Sequence, residues 1–178
     1  MRETYAALLR GVNVGGRGKL PMPALVKAFE SLGHEDVRSY IQSGNVVFRS
    51  SVTDPGKLSA ALERMLSEQF GLETRVLLRT HAELAAVAAG SPFDEAVHVV
   101  FLDSRPKPAA VAALDPDRSP GDRFAVAGRE IYLSLASGAG RTKLTLDWLE
   151  RRLGVAGTQR NWNTVLKLVE LTAPPAGG

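Results

Sequence analysis

Cysteine is absent from this 178-residue chain. Its absence excludes disulfide bridges, thiolate metal sites and cysteine nucleophiles. Long apolar runs are missing as well: no window approaches the roughly eighteen apolar residues of a membrane-spanning helix. Met1-Arg2-Glu3-Thr4 runs straight into an apparent strand with no signal-peptide layout. A cytoplasmic location and no membrane partner are therefore expected. Aromatic residues make up only 6% of the chain, and the interleaved aromatics of an RNP motif are not there. The three histidines, His34, His81 and His98, form no HxxxH or HxxE set, so no metal site is expected. Asp94 and Glu95 are adjacent, which does not suit a catalytic carboxylate pair, and no GxSxG elbow occurs. No cofactor is implied, and any catalytic residue is unknown.

What remains is an ordinary globular composition, 44% hydrophobic and 23% charged. The length suits one domain or two small ones. The net charge of +3 is too small to establish a nucleic-acid partner. Its distribution says more. Residues 10–19 carry Arg10, Arg17 and Lys19 and no acid. Residues 141–167 carry Arg141, Lys143, Arg151, Arg152, Arg160 and Lys167 against Asp147 and Glu150. Such local basic surfaces attract phosphate, although solvated helix faces explain Arg151 and Arg152 equally simply.

Taken in order, Thr4–Leu9 reads as a buried strand. Met22, Leu25, Val26, Phe29 and Leu32 recur at helical spacing, with Gly33 as the stop. Val37–Ile41 and Val46–Arg49 read as strands joined by the polar turn Gln42-Ser43-Gly44-Asn45. Asp54-Pro55 opens a second helix that closes at Gly71, and Thr74–Arg79 is the next strand. Thr80-His81-Ala82-Glu83 is a capping box opening an alanine-rich connecting helix. Strands follow at Val97–Leu102, Arg123–Val126 and Glu130–Leu135, with a short helix after Pro106-Lys107-Pro108. A helix from about Lys143 to Leu153, a short strand at Thr158–Arg160 and a helix from Trp162 to Leu171 complete the chain.

The order β-α-β-β-α-β, traversed twice, is that of the split-βαβ arrangement. The expected fold is α+β, with two ferredoxin-like subdomains and an extra C-terminal helix. The expected boundaries are 1–79 for the N-terminal subdomain, 80–96 for a connecting helix and loop, and 97–178 for the C-terminal subdomain. The repeat is one of element order, not of sequence.

Four motifs carry a family resemblance: Leu8–Gly16, Tyr40–Phe48, Gly140-Arg141-Thr142-Lys143-Leu144 and Arg160-Asn161-Trp162-Asn163-Thr164-Val165. With these motifs in this order, the chain resembles the bacterial domain-of-unknown-function family 1697 over nearly its whole length. The resemblance implies a cytoplasmic bacterial protein with two ferredoxin-like halves. It supplies no activity, cofactor or catalytic residue to transfer.

The candidate ligand-binding residues lie in the same segments. The first loop carries Arg10, Gly11, Asn13, Gly15, Gly16 and Lys19, and its glycines allow close backbone approach to an anion. It has neither GxxxxGK[ST] nor GxGxxG spacing, and a turn-rich crossing from strand to helix needs such glycines anyway. Gln42, Ser43 and Asn45 offer amides and a hydroxyl for a base edge or phosphate oxygen, although turn chemistry alone also favours Ser, Gly and Asn. Arg141, Thr142 and Lys143 follow a glycine-rich loop and are expected at a helix start, where free N–H groups favour anions; a flexible loop with a Ser137 or Thr142 cap is the plainer reading. Arg160, Asn161, Trp162 and Asn163 exceed what a helix cap requires and suit stacking on a ring, although Trp162 also suits a core anchor.

The leading expectation is a binding module for a phosphorylated ligand, with RNA or single-stranded nucleic acid among the candidates. One alternative is an enzyme acting on a small phosphorylated or carboxylated metabolite, with arginines stabilising developing charge. Another is an interaction or oligomerisation protein using exposed sheet edges. Each reading expects the two glycine loops, the Gln42–Asn45 turn and the Arg160–Thr164 segment to share one face.

Overall fold

The computed structural model describes residues 1–11, 20–40 and 44–176. Asn13, Gly15, Gly16, Arg17, Lys19, Gln42 and Ser43 lie outside the described residues. The elements run β1 Glu3–Leu9, α1 Met22–Ser31, β2 Glu35–Tyr40, β3 Asn45–Ser50, α2 Pro55–Phe70, β4 Val76–Thr80 and α3 His81–Ala89. They continue β5 Val97–Leu102, α4 Pro108–Ala112, β6 Arg123–Ala127, β7 Glu130–Ser134, α5 Leu146–Leu153, β8 Gly157–Asn161 and α6 Trp162–Thr172. Two antiparallel four-stranded sheets result, ordered β2-β3-β1-β4 and β6-β7-β5-β8. This is the doubled split-βαβ arrangement, and the fold is α+β.

The chain divides into two compact units, Met1–Ala85 with Leu168–Gly178, and Ala86–Lys167. Both divisions fall inside helices, within α3 and within α6.

In the first unit, Tyr5, Ala7 and Leu9 of β1 alternate onto the helix side of the sheet. There they meet Val46, Phe48, Val76 and Leu78 from neighbouring strands and Leu25, Phe29, Leu58, Leu62 and Leu66 from α1 and α2. Burying each such leucine or phenylalanine contributes about 1.5–3 kcal/mol. The intervening Ala6, Leu8, Val47 and Leu77 are buried too. A sheet covered on both faces explains why β1 is a continuous apolar run instead of an alternating one.

Local signals set the helix ends. Asp54 caps α2 by accepting from the Gly56 and Lys57 N–H groups at 2.9 and 3.2 Å. Gly71 ends it with φ +62°, where the Leu72 N–H returns to the Leu66 carbonyl at 3.1 Å. Thr80 and Glu83 exchange side-chain-to-backbone bonds at 3.0 and 3.2 Å, the reciprocal capping box at the start of α3.

The second unit repeats this frame. Val100 and Leu102 of β5, Ile131 and Leu133 of β7, and Leu144, Trp148, Leu149 and Leu153 make its core. Asn161 caps α6 at the end of β8, as Thr80 caps α3 at the end of β4. Even the buried arginines correspond. Arg79 stands opposite Ala6 on β1, and Arg160 stands opposite Val99 on β5. Each donates to the carbonyl of the residue before it, both at 2.9 Å.

Candidate functional site

In the second unit the chain leaves β7 through Leu135 and turns at Gly138, whose φ of +88° suits glycine. Gly138 O then accepts from the Arg141 and Thr142 N–H groups at 3.1 and 3.0 Å. What holds this loop is a carboxylate distant in sequence. Asp122, only 4% exposed, accepts from the Ser137 N–H at 3.0 Å, the Ser137 hydroxyl at 2.6 Å and the Ser119 hydroxyl at 2.8 Å. Burial alone pushes the Asp122 pKa up. The hydrogen bonds from Ser137, Thr142 and Ser119 outweigh burial and hold the carboxyl well below the usual carboxylate range. Ser119 Oγ also accepts from the Lys143 N–H at 3.1 Å, and Thr142 Oγ1 accepts from the Leu144 N–H at 3.0 Å.

The outer side of this knot is cationic. Arg141 and Lys143 are exposed, and Arg118 joins them by donating through Nε to the Lys143 carbonyl at 3.0 Å. The Arg118 guanidinium stacks over the Trp148 ring at 4.7 Å. Buried acid and exposed base are thus sorted to opposite sides of one loop.

The expected helix start at Lys143 is corrected. Thr145, not Ser137 or Thr142, caps α5 by accepting from the Trp148 N–H at 3.1 Å, and the helix begins at Leu146. The N–H groups of residues 142–144 are already bonded within the loop, so the helix dipole does not serve this segment.

The Arg160–Asn163 segment divides. Arg160 is 8% exposed and turns inward, donating to the Thr158 hydroxyl and to the Gln159 carbonyl. Burial lowers its pKa to about 10. Asn161 accepts from the Thr164 N–H at 2.9 Å as the α6 cap. Trp162 is half-buried and Asn163 exposed. Ser134 and Asn161 lie at the same end of the second sheet with β5 between them, about 10 Å apart by strand spacing.

In the first unit, Arg10 and Gly11 follow β1. Asn45 does not sit on an exposed tip: it is fully buried at the start of β3 and donates through Nδ2 to the Tyr40 carbonyl at 3.2 Å. A cleft of about 930 Å³ opens elsewhere in this unit, rimmed by Arg2, Arg38 and Arg49 with Glu3, Asp36 and His81. Its cations are engaged locally. Arg49 meets Asp36 at 3.3 Å, Arg2 meets Glu35 at 3.2 Å, and Arg38 donates to the Leu171 carbonyl at 2.8 Å. The cleft is therefore lined by both signs of charge, with its arginines already engaged.

Sequence reasoning passed over Asp122, Ser119 and Arg118. The only local signal was a Ser and an Asp three residues apart before a strand, a pattern common in turns. Among the described residues no group of three metal-ligating side chains assembles, and no helix is long and apolar enough to cross a membrane.

A doubled split-βαβ protein with a pinned cationic loop is the class that fold and site define. The chain belongs to the family of proteins of unknown function DUF1697, whose model matches residues 2–132. Its structure is similar to that of the conserved bacterial protein SP0830 from Streptococcus pneumoniae. The TM-score is 0.74 at 25% identity, covering 97% of this chain and 100% of that one. No curated protein matches.

Proposed function

We propose that this protein binds a phosphorylated, polyanionic ligand, in the form of single-stranded nucleic acid, at the Ser137–Lys143 loop. The observation that carries this reading is the sorting of charge about Asp122. A buried carboxylate spends its acceptors on inward-facing hydroxyls and an amide, which rigidifies the loop. Arg118, Arg141 and Lys143 remain on the outer side, on a backbone that does not need to be ordered when ligand arrives. Arginine forks suit bidentate phosphate contacts, and lysine acts as a point charge. Trp162 and Asn163, at the same end of the sheet, supply a ring face and an amide for a base.

Fluorescence anisotropy of labelled single-stranded RNA and DNA across a salt series tests this. Three cations meeting three phosphates predict a slope of log affinity against log salt of about −2. The Arg141→Ala/Lys143→Ala double variant should flatten it to about −0.7. No binding at low salt, or an unchanged slope in the variant, refutes the reading. Arg160 is unsuitable for this test because its removal disturbs packing.

A further inference from the structure

We infer that the β6 edge of the second unit is an interaction surface for a second copy of this chain, the two β6 strands pairing antiparallel about a two-fold axis at Ala125. The two sheets have β2 and β4 as edges in the first unit, and β6 and β8 in the second. An open edge offers unpaired N–H and C=O groups to any other strand, and folds blunt such edges with side chains, charges and bulges. All but β6 are blunted in this way.

Side chains cap the β4 edge. Glu63 accepts from the Val76 N–H at 3.0 Å, and Ser59 donates to the Val76 carbonyl at 2.7 Å. Arg79 donates to the Leu78 carbonyl at 2.9 Å, and Glu83 accepts from the Thr80 N–H at 3.0 Å. The β8 edge repeats the device. Glu150 accepts from the Gly157 N–H at 3.0 Å, and Arg160 donates to the Gln159 carbonyl at 2.9 Å. The β2 edge carries the charges of Glu35, Asp36 and Arg38, and its register breaks between Glu35 and Arg38, where Asp36 has φ +49°.

β6, Arg123-Phe124-Ala125-Val126-Ala127, has none of these devices. Which of its peptide groups point outward follows from the far side of β7. Leu102 N–H donates to Arg129 O at 2.8 Å and Leu135 N–H to Ala96 O at 3.0 Å, so the odd-numbered residues 129–135 bond toward β5. Glu130, Tyr132 and Ser134 then bond toward β6, to Ala127, Ala125 and Arg123. The N–H and C=O groups of Phe124 and Val126 are left pointing away from the sheet. Among the described residues nothing bonds to them.

The strand is complementary to itself. A two-fold axis at Ala125 sets Phe124 of one copy opposite Val126 of the other, so the outward groups of both strands satisfy each other and the two sheets become one of eight strands. Arg123 falls opposite Ala127, which keeps the two arginines roughly 14 Å apart along the strands. Its guanidinium is also held over the Phe93 ring of its own chain at 4.8 Å. On the helix side, Phe124 and Val126 are only partly buried, as are Ala110 and Val111 of the uncharged helix α4. A second copy would cover this apolar rim.

Sedimentation equilibrium of the whole protein from about 10 μM to 1 mM tests the pairing. A reversible monomer–dimer equilibrium is the expected result, because the interface is small. Amide hydrogen exchange at Phe124 and Val126 should slow several-fold as the dimer forms, while Ala125 and Ala127, already bonded to β7, stay unchanged. Ala125→Lys and Ala125→Glu each set like charges opposite one another on the axis and should weaken dimerisation several-fold. Mixing the two variants should restore it, since opposite charges then meet. Val126→Pro removes an outward N–H from each copy without losing a bond to β7, and should weaken dimerisation about tenfold or more. It decides the matter if the Ala125 variants do not fold. A wild type that stays monomeric throughout the range overturns the inference, even where the edge then takes a strand from another protein. A dimer that the folded variants leave intact, or exchange that slows elsewhere and not at Phe124 and Val126, overturns it too.

Discussion

Replacing Asp122 with asparagine removes the charge at the centre of the loop while preserving its shape. The carboxylate accepts three hydrogen bonds of 2.6–3.0 Å from Ser137 and Ser119. Hydrogen bonds to a charged group contribute about 1.5–3 kcal/mol each, and a buried donor left without a partner costs about 1–3 kcal/mol. The asparagine oxygen keeps some of these donors, and its new NH₂ faces the donors it cannot satisfy. The two hydroxyls can rotate to other acceptors, whereas the Ser137 N–H cannot. A net loss of about 2–3 kcal/mol at neutral pH follows. Its pH dependence has a definite sign. The folded pKa of Asp122 is depressed, so its contribution is fully present above the unfolded value near 3.8 and is lost as pH falls through the folded one. Urea unfolding of wild type and Asp122→Asn at pH 6, and again near pH 3, measures both effects. The gap between them should narrow in acid. A gap below about 0.5 kcal/mol at pH 6, within the range of an ordinary surface substitution, refutes the argument, as does a gap that does not change with pH.

Other consequences follow from single contacts. His34 is buried between Phe29 and Phe48, at centroid distances of 6.3 and 4.8 Å, and burial, with Arg2 adding to it, lowers its pKa. Its neutral form is favoured in the fold, so stability is lost as pH falls below about 6.5. His34→Leu should flatten the unfolding midpoint between pH 7 and 5; an equally sloped profile counts against it. At Gly157 an added Cβ would lie 2.8 Å from the Phe101 carbonyl oxygen across the β5–β8 ladder. Gly157→Ala should therefore cost about 1–3 kcal/mol in thermal unfolding, and a neutral result would mean that β8 shifts freely.

The order and type of the elements were legible in the chain because their signals are local. Helical spacing of apolar residues marked α1 and α2, and Asp54-Pro55, Gly71 and the Thr80–Glu83 box act within a turn of the backbone they cap. The candidate site was legible only as a list of basic and amide side chains. Which of them face outward was not, because a side chain's direction depends on strand register and on what lies beneath. Arg160 and Arg141 look alike as neighbours of glycine-rich or polar stretches. One occupies an inward position opposite Val99, the other the outside of a turn.

By itself, then, the sequence determined two β-α-β-β-α-β passes and the places where helices stop and start, since caps and periodicity need only near neighbours. Tertiary structure alone decided that Asp122 anchors Ser137 and that Arg75 stands beside Arg10. Those partners are 15 and 65 residues apart in the chain, and only the packing of strands into sheets brings them within a hydrogen bond.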